Sequence, residues 1–180
     1  FHKADITDFK DCLSFCKQVD FVLHQAALGS VPRSIANPLD THASNSTGFL
    51  NMLEAARVSG IKRMVYASSS SVYGDNSDLP KVEHKTGLPL SPYAVSKITN
   101  ELYAHTYAQI HKMPVIGLRY FNIFGPRQNT KGPYAAAIPL FIESLLNNHS
   151  CYINGDGEQS RDFTFIENAV QANIKALFTN

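Results

Sequence analysis

The sequence predicts an α/β protein built on a doubly wound parallel sheet, followed by the start of a smaller lobe. Three observations carry this expectation. Short apolar stretches recur at Phe21-Val22-Leu23-His24, Arg63-Met64-Val65-Tyr66-Ala67-Ser68 and Pro114-Val115-Ile116-Gly117-Leu118-Arg119-Tyr120, continuous rather than alternating, as in strands buried on both faces. Helical periodicity fills the intervals between them. The resulting β-α-β-α-β order calls for right-handed crossovers and parallel pairing.

The elements follow in order. Asp8 can cap a helix running to about Lys17, with Phe9, Leu13 and Cys16 on one face. The strand 21–24 leads into a small-residue loop, Ala26-Ala27-Leu28-Gly29-Ser30. A helix is expected over roughly 38–59, because Phe49, Leu50, Leu53 and Ala56 recur at helical spacing and Gly60 supplies the stop. After the strand 63–68, a long loop runs from Gly74 to Leu90. Ser91-Pro92 opens the next helix, serine as N-cap and proline as first helical residue, and that helix reaches about His111. Beyond Asn122 the chain is punctuated by Gly125-Pro126, Gly132-Pro133 and Gly155-Asp156-Gly157, with a helix expected over about 136–147, a strand near Cys151-Tyr152-Ile153 and a closing helix over 167–178. Two domains are therefore expected, 1–125 and 126–180, the second a partial lobe with a returning helix.

Composition narrows the function. The 180 residues are 44% hydrophobic, enough for a core, and the net charge of +1 is spread evenly, which gives no nucleic-acid footprint. No apolar run approaches the ~18 residues of a membrane span. Cys12, Cys16 and Cys151 are odd in number and lack zinc-ligand pairing, so no metal site is assigned and the three read as reduced, mostly buried thiols of a cytoplasmic protein. The chain opens on Phe1-His2-Lys3-Ala4-Asp5 without an initiator methionine and reads as a fragment.

The chemistry gathers at the serine run Ser68-Ser69-Ser70-Ser71 and at Tyr93-x-x-x-Lys97, which begins 22 residues after the run. The run offers hydroxyls at a strand end. The second motif places a phenol and an ammonium one helical turn apart on one face. A tyrosine with a pKa near ~10 is a poor base at neutral pH, and a neighbouring cation favours its phenolate. In doubly wound sheets ligands bind beyond the carboxyl ends of the strands, where the loop 25–30, the serine run and the segment from Asn122 all fall.

These residues resemble an extended short-chain dehydrogenase/reductase of the NAD-dependent nucleotide-sugar epimerase/dehydratase family. The resemblance rests on Ala4-Asp5-Ile6-Thr7-Asp8, His24-Gln25-Ala26-Ala27, Asn45-x-x-Gly48, the segment Ala67 to Gly74, Ser91-Pro92-Tyr93-x-x-x-Lys97, Arg119-Tyr120-Phe121-Asn122-x-x-Gly125-Pro126-Arg127 and Gly155-Asp156-Gly157-x-x-x-Arg161-Asp162-Phe163, ordered along the whole chain. It implies a Rossmann-like NAD-binding domain that is N-terminally truncated, because the family's G-x-x-G-x-x-G phosphate loop and first βαβ unit are not in this sequence. It further implies that Tyr93 is the base and that Lys97 holds the nicotinamide ribose and lowers the phenol pKa. Ser69, four residues before Tyr73, would bond the sugar 4-hydroxyl. Asp5 and Ile6 would border the adenine, Ala26, Ala27 and Leu28 the pyrophosphate, and Phe121 the nicotinamide. Asn122 and Arg161 would contact the nucleotide sugar, and Tyr152 and Asn154 the uridine. Asn45 is expected to be a hydrogen bonder that fixes the sheet, Arg119 a structural residue and His24 a core histidine.

The same resemblance implies the reaction: removal of the 4-hydroxyl proton to Tyr93 and of hydride to NAD, rotation of a 4-keto sugar, and return of the hydride to its other face. Related dehydratases carry an Asp-Glu pair where this chain has Ser70-Ser71, which points to an epimerase. Gly29 and Ser30 leave room for an acetamido group that Ser70 or Gln128 could hydrogen-bond, so UDP-N-acetylglucosamine/UDP-N-acetylgalactosamine is the expected UDP-sugar pair. UDP-glucuronate or UDP-glucose 4-epimerisation, or an inactive nucleotide-sugar-binding fragment, are the alternatives. A homodimer is expected for the whole protein.

Overall fold

A computed structural model describes residues 1–129, 137–153 and 155–179. The chain divides into two compact units, Phe1–Arg119 with Asn173–Asn180, and Tyr120–Ala172.

In the first unit, Asp8 caps helix α1 (Phe9–Cys16) as its sequence position requires: its side chain accepts the amides of Lys10 and Asp11. The buried face corrects the expectation. Phe9 is exposed, while Cys12 and Cys16, four residues apart, lie beneath the surface and pack with helix α4 (Gly48–Val58). Burial and the neighbouring Cys16 thiol push the Cys12 thiol up to about 11, so both cysteines pack as small apolar groups. All three cysteines are free thiols.

The helix expected over 38–59 is present as one continuous helical path, widened at one turn, and a separate short helix precedes it. Helix α2 (Val31–Ala36), a stretch to which the sequence pattern assigns no element, is capped by Ser30, whose hydroxyl accepts the Arg33 amide; Pro32 sits in its first turn. Helix α3 (Pro38–His42) then passes through a wide turn, Ala43–Thr47, into α4. The wide turn is what carries Asn45 inward, to 1% exposure. Where α4 begins, a Cβ at Gly48 would lie 2.7 Å from the Ile6 side chain, which would have to shift to admit it. The Gly60 stop is present, with φ at +69°.

Strands β1 (Phe21–His24), β2 (Arg63–Ser69) and β3 (Val115–Tyr120) form one sheet in the order β1-β2-β3. β1 and β2 are parallel, from Phe21 opposite Arg63 to His24 opposite Tyr66. The crossover between β2 and β3 is helix α5 (Pro92–His111), capped by Ser91, whose hydroxyl accepts the Ala94 amide at 3.1 Å. The core gathers Phe49 and Leu53 of α4, Met64 and Tyr66 of β2, Ala104 of α5 and the two α1 cysteines. Phe49 meets the Tyr66 and His24 rings edge to face. His24 is a core histidine, as read from the sequence: burial, with the Lys97 charge second, holds its pKa down to about 4.

In the second unit, strands β4 (Asn122–Phe124) and β5 (Phe163–Phe165), neither expected from the sequence, pair in parallel with Asn122 opposite Phe163. The Phe124 ring tilts onto Phe165 and meets Phe163 edge to face. Helix α6 (Ala137–Leu146) and the start of α7 (Ile166–Phe178) fall close to their expected places. The strand expected at 151–153 is absent. The segment pairs with no described strand, and Tyr152 and Ile153 stand 86% and 68% exposed. Among the described residues no helix is long and apolar enough to cross a membrane.

Candidate active site

The serine run changes from strand to turn within itself. Ser68 is buried, and its hydroxyl donates to the Glu101 carboxylate. Ser69 ends β2, and its hydroxyl accepts the Ser71 amide at 3.1 Å, capping a single 3₁₀ turn over Ser70–Tyr73 that the sequence reading passed over. A serine oxygen that accepts still carries a proton to donate. The Ser71 hydroxyl is buried with no hydrogen-bond partner among the described groups. Gly74 closes the turn at φ +54°, and a Cβ there would lie 2.0 Å from the Leu88 carbonyl oxygen, so only glycine fits.

Helix α5 brings Tyr93 and Lys97 together as their spacing requires. The Lys97 ammonium stands 5.8 Å from the centre of the Tyr93 ring. It is 4% exposed, and it donates to the Ala67 carbonyl, two residues before Ser69, at 2.8 Å. Burial lowers its pKa to about 8, so at neutral pH it is still mostly charged and favours the phenolate of a nearby tyrosine. One of its three donors is spent on Ala67, which fixes the ammonium against β2 and leaves two for a ligand.

Asn45 ties the loop after β1 to α5. Its side-chain oxygen accepts the Leu28 amide at 2.7 Å. Its amide nitrogen donates to the Leu28 carbonyl at 3.0 Å and to the Ser96 hydroxyl at 3.2 Å. Ser96 donates in turn to the Tyr93 carbonyl at 2.7 Å. Ser96 was invisible to motif reading; its signal was its place beside Lys97 on the helix facing Asn45.

Four of the residues expected to border the cofactor, Asp5, Ile6, Ala26 and Ala27, line one cleft of about 530 Å³ together with Ser44. The Asp5 carboxylate accepts both the amide and the hydroxyl of Thr7, each at 2.9 Å, and these bonds hold its pKa below the usual value. Lys3 lines the same cleft, so one ammonium and one carboxylate border it, and a wall of two alanines permits the close backbone approach that a dinucleotide needs. Leu28 and Gly29 are half-buried, and Ser30 spends its hydroxyl on capping α2.

Phe121, Asn122, Gln128, Tyr152 and Arg161 belong to the second unit. There the Asn122 side chain and backbone amide both donate to the Asp162 carbonyl. Gln128 donates to Ile123, while its side-chain oxygen is buried with no hydrogen-bond partner among the described residues. The exposed Arg161 guanidinium donates to the Ser160 carbonyl at 2.8 Å. Asn154 lies outside the described residues.

Comparison with known proteins extends this picture. A family model described as the NAD dependent epimerase/dehydratase family matches residues 1–180. Among solved structures, a UDP-N-acetylglucosamine 4-epimerase from Methanobrevibacter ruminantium M1, in complex with UDP-N-acetylmuramic acid, is 43% identical with a TM-score of 0.93, over 98% of this chain and 56% of that one. The UDP-glucose 4-epimerase of Thermotoga maritima, with UDP-glucose, is 31% identical with a TM-score of 0.94, over 99% and 59%. Among curated proteins, the UDP-glucuronate 4-epimerase of Thermodesulfobacterium geofontis is 35% identical over 98% of this chain and 54% of its own length. The chain spans about half the length of the curated relatives it matches.

Proposed function

This chain belongs to the NAD dependent epimerase/dehydratase family, and on that premise we propose that the whole protein interconverts UDP-N-acetylglucosamine and UDP-N-acetylgalactosamine. The observation that carries the reading is the Lys97 ammonium, buried, anchored to β2 at Ala67 and set beside the Tyr93 ring. That arrangement favours a phenolate at the end of the strand that presents the serine hydroxyls.

NAD, when bound, supplies reversible hydride transfer at C4 of the sugar. Asp5 and Ile6 hold its adenine end, Ala26, Ala27 and Leu28 its diphosphate, and Lys97 and Phe121 its nicotinamide end. Tyr93 takes the proton of the 4-hydroxyl and returns it after the sugar ring has presented its other face. Ser69 donates its remaining proton to the same sugar oxygen and orients it. Asn122, Arg161, Tyr152 and Asn154 are assigned to the nucleotide, Arg161 through its planar guanidinium.

Ser70 and Ser71 replace the acid pair that loss of water needs, which favours epimerisation over dehydration. Gly29 and Ser30 are small enough to leave room for an acetamido group, which Ser70 or Gln128 would hydrogen-bond. The similar Methanobrevibacter enzyme is a UDP-N-acetylglucosamine 4-epimerase. The test is kcat/KM of the whole protein on the acetylated pair, on UDP-glucose and on UDP-glucuronate. Gly29→Leu should hurt the acetylated pair more than UDP-glucose, and Tyr93→Phe should abolish turnover of all. An equal loss for Gly29→Leu, or preference of the wild type for UDP-glucuronate, would sink the substrate assignment.

A homodimer is part of the same reading. Leu39 of α3 and Val95 and Leu102 of α5 are 83%, 49% and 63% exposed on helices that pack together. Sedimentation of the whole protein as a monomer would refute it.

A further inference from the structure

We propose that Glu101 is a positioning residue, which sets the serine turn at the height of the Tyr93 phenol and does so through Arg119. The inference rests on the epimerase reading for its catalytic consequence, and on the first unit alone for its geometry.

Tyr93, Lys97 and Glu101 follow one another at intervals of four residues along α5 and so share a face. Two of them grip consecutive residues of β2. Lys97 takes the Ala67 carbonyl and Glu101 takes the Ser68 hydroxyl. The end of the strand is therefore fastened to α5 at two successive helical turns, immediately before Ser69.

Glu101 also reaches the far end of the turn. Its two carboxylate oxygens accept Nε and a terminal nitrogen of Arg119 at 2.9 and 2.7 Å, a fork-on-fork pair with side chains 24% and 17% exposed. The Arg119 guanidinium lies 4.8 Å from the centre of the Tyr73 ring. Its remaining nitrogen donates to the Glu83 carbonyl of the long loop at 2.9 Å. One ion pair thus holds both boundaries of the stretch Ser69 to Val72, Ser68 directly and Tyr73 through the arginine. Among the described residues, the side-chain hydrogen bond inside that stretch is the Ser69 cap on Ser71. The hydroxyl positions are set from outside, and Glu101 touches no reacting atom.

The experiment uses the whole protein carrying Glu101→Gln, Arg119→Lys or, as a control, Glu54→Gln. Glu101→Gln keeps the size and an acceptor for Ser68 but turns an amide nitrogen toward Arg119. Arg119→Lys keeps the charge and loses the fork and the ring contact. Glu54→Gln removes another partly exposed ion pair, with Arg57 on α4, remote from the turn. Hydrogen exchange at the amides of residues 70–74 should quicken at least about tenfold in the first two variants and not in the control, with β2 amides 64–66 unchanged. In the same two variants kcat on the UDP-sugar should fall at least about tenfold while KM stays within about twofold, the split expected when binding survives and alignment is lost. Unchanged exchange in the turn overturns the proposal whatever happens to activity. Faster exchange with an unchanged kcat overturns its catalytic consequence. A wild-type protein that turns over no UDP-sugar would refute the epimerase reading, and the exchange data alone would then decide whether Glu101 holds the turn.

Discussion

Replacing Asn45 by alanine removes three hydrogen bonds at a site 1% exposed: the two-way clamp on the Leu28 backbone and the bond to Ser96. At about 1 kcal/mol net for each bond, the loss is near 3 kcal/mol if nothing compensates. Leu28 is only half-buried, so water can recover part of its amide and carbonyl, and the expected cost is about 2 kcal/mol. With a urea m-value of about 2 kcal/mol/M, that moves the unfolding midpoint down by about 1 M. Asn45→Asp should cost more. It keeps the acceptor for the Leu28 amide, but it turns a buried carboxylate oxygen toward the Leu28 carbonyl. Urea unfolding of the three proteins ranks them directly. NAD titration of the whole protein gives the functional arm, because a loosened Leu28 should raise Kd by about tenfold, or about 1.4 kcal/mol. A loss under about 0.5 kcal/mol for Asn45→Ala, or an Asp variant as stable as the Ala one, would refute the clamp as an energetic feature. An unchanged Kd would refute its link to the cofactor.

Two further predictions concern stability. His24 is held neutral in the fold down to about pH 4 against an ordinary value of 6.5, so between those limits the unfolded chain binds more protons and stability falls on acidification. The loss reaches at most about 3 kcal/mol by pH 4, and urea midpoints measured across that range should show a slope that His24→Leu lacks; parallel curves would place the acid sensitivity elsewhere. Gly117→Ala should destabilise by about 1–3 kcal/mol, because its Cβ would lie 2.4 Å from the tip of the Tyr66 ring, itself 4% exposed and unable to swing away; an unchanged unfolding midpoint would show that the ring yields.

What the sequence determined by itself was everything encoded within a few residues. Continuous apolar runs located β1, β2 and β3; burial on both faces, the expected reason for such runs, holds for the central strand β2, whereas Leu23 of β1 is exposed and β3 is only half-buried. Asp8 and Ser91 marked two helix starts, because an N-cap is satisfied by amides two or three residues on. Tyr93 and Lys97 were placed on one face by the helical period alone. The tertiary structure decided what depends on partners far along the chain. The periodicity of 38–59 could not show the wide turn at Ala43–Thr47, which exists to bring Asn45 to Leu28 and Ser96. The three-residue strands β4 and β5 are too short to announce themselves, and pair across some forty residues, Asn122 with Phe163. The apolar segment 151–153 had the composition of a strand, yet it pairs with no described strand, because pairing depends on a partner that composition does not specify. Ser68, in a run of four alike, is told from Ser69 only by the strand's pleat, which turns one hydroxyl to Glu101 and leaves the next to cap the turn. The Lys97 ammonium owes its lowered pKa to burial, which a local pattern does not encode because the atoms that exclude water come from other segments of the fold.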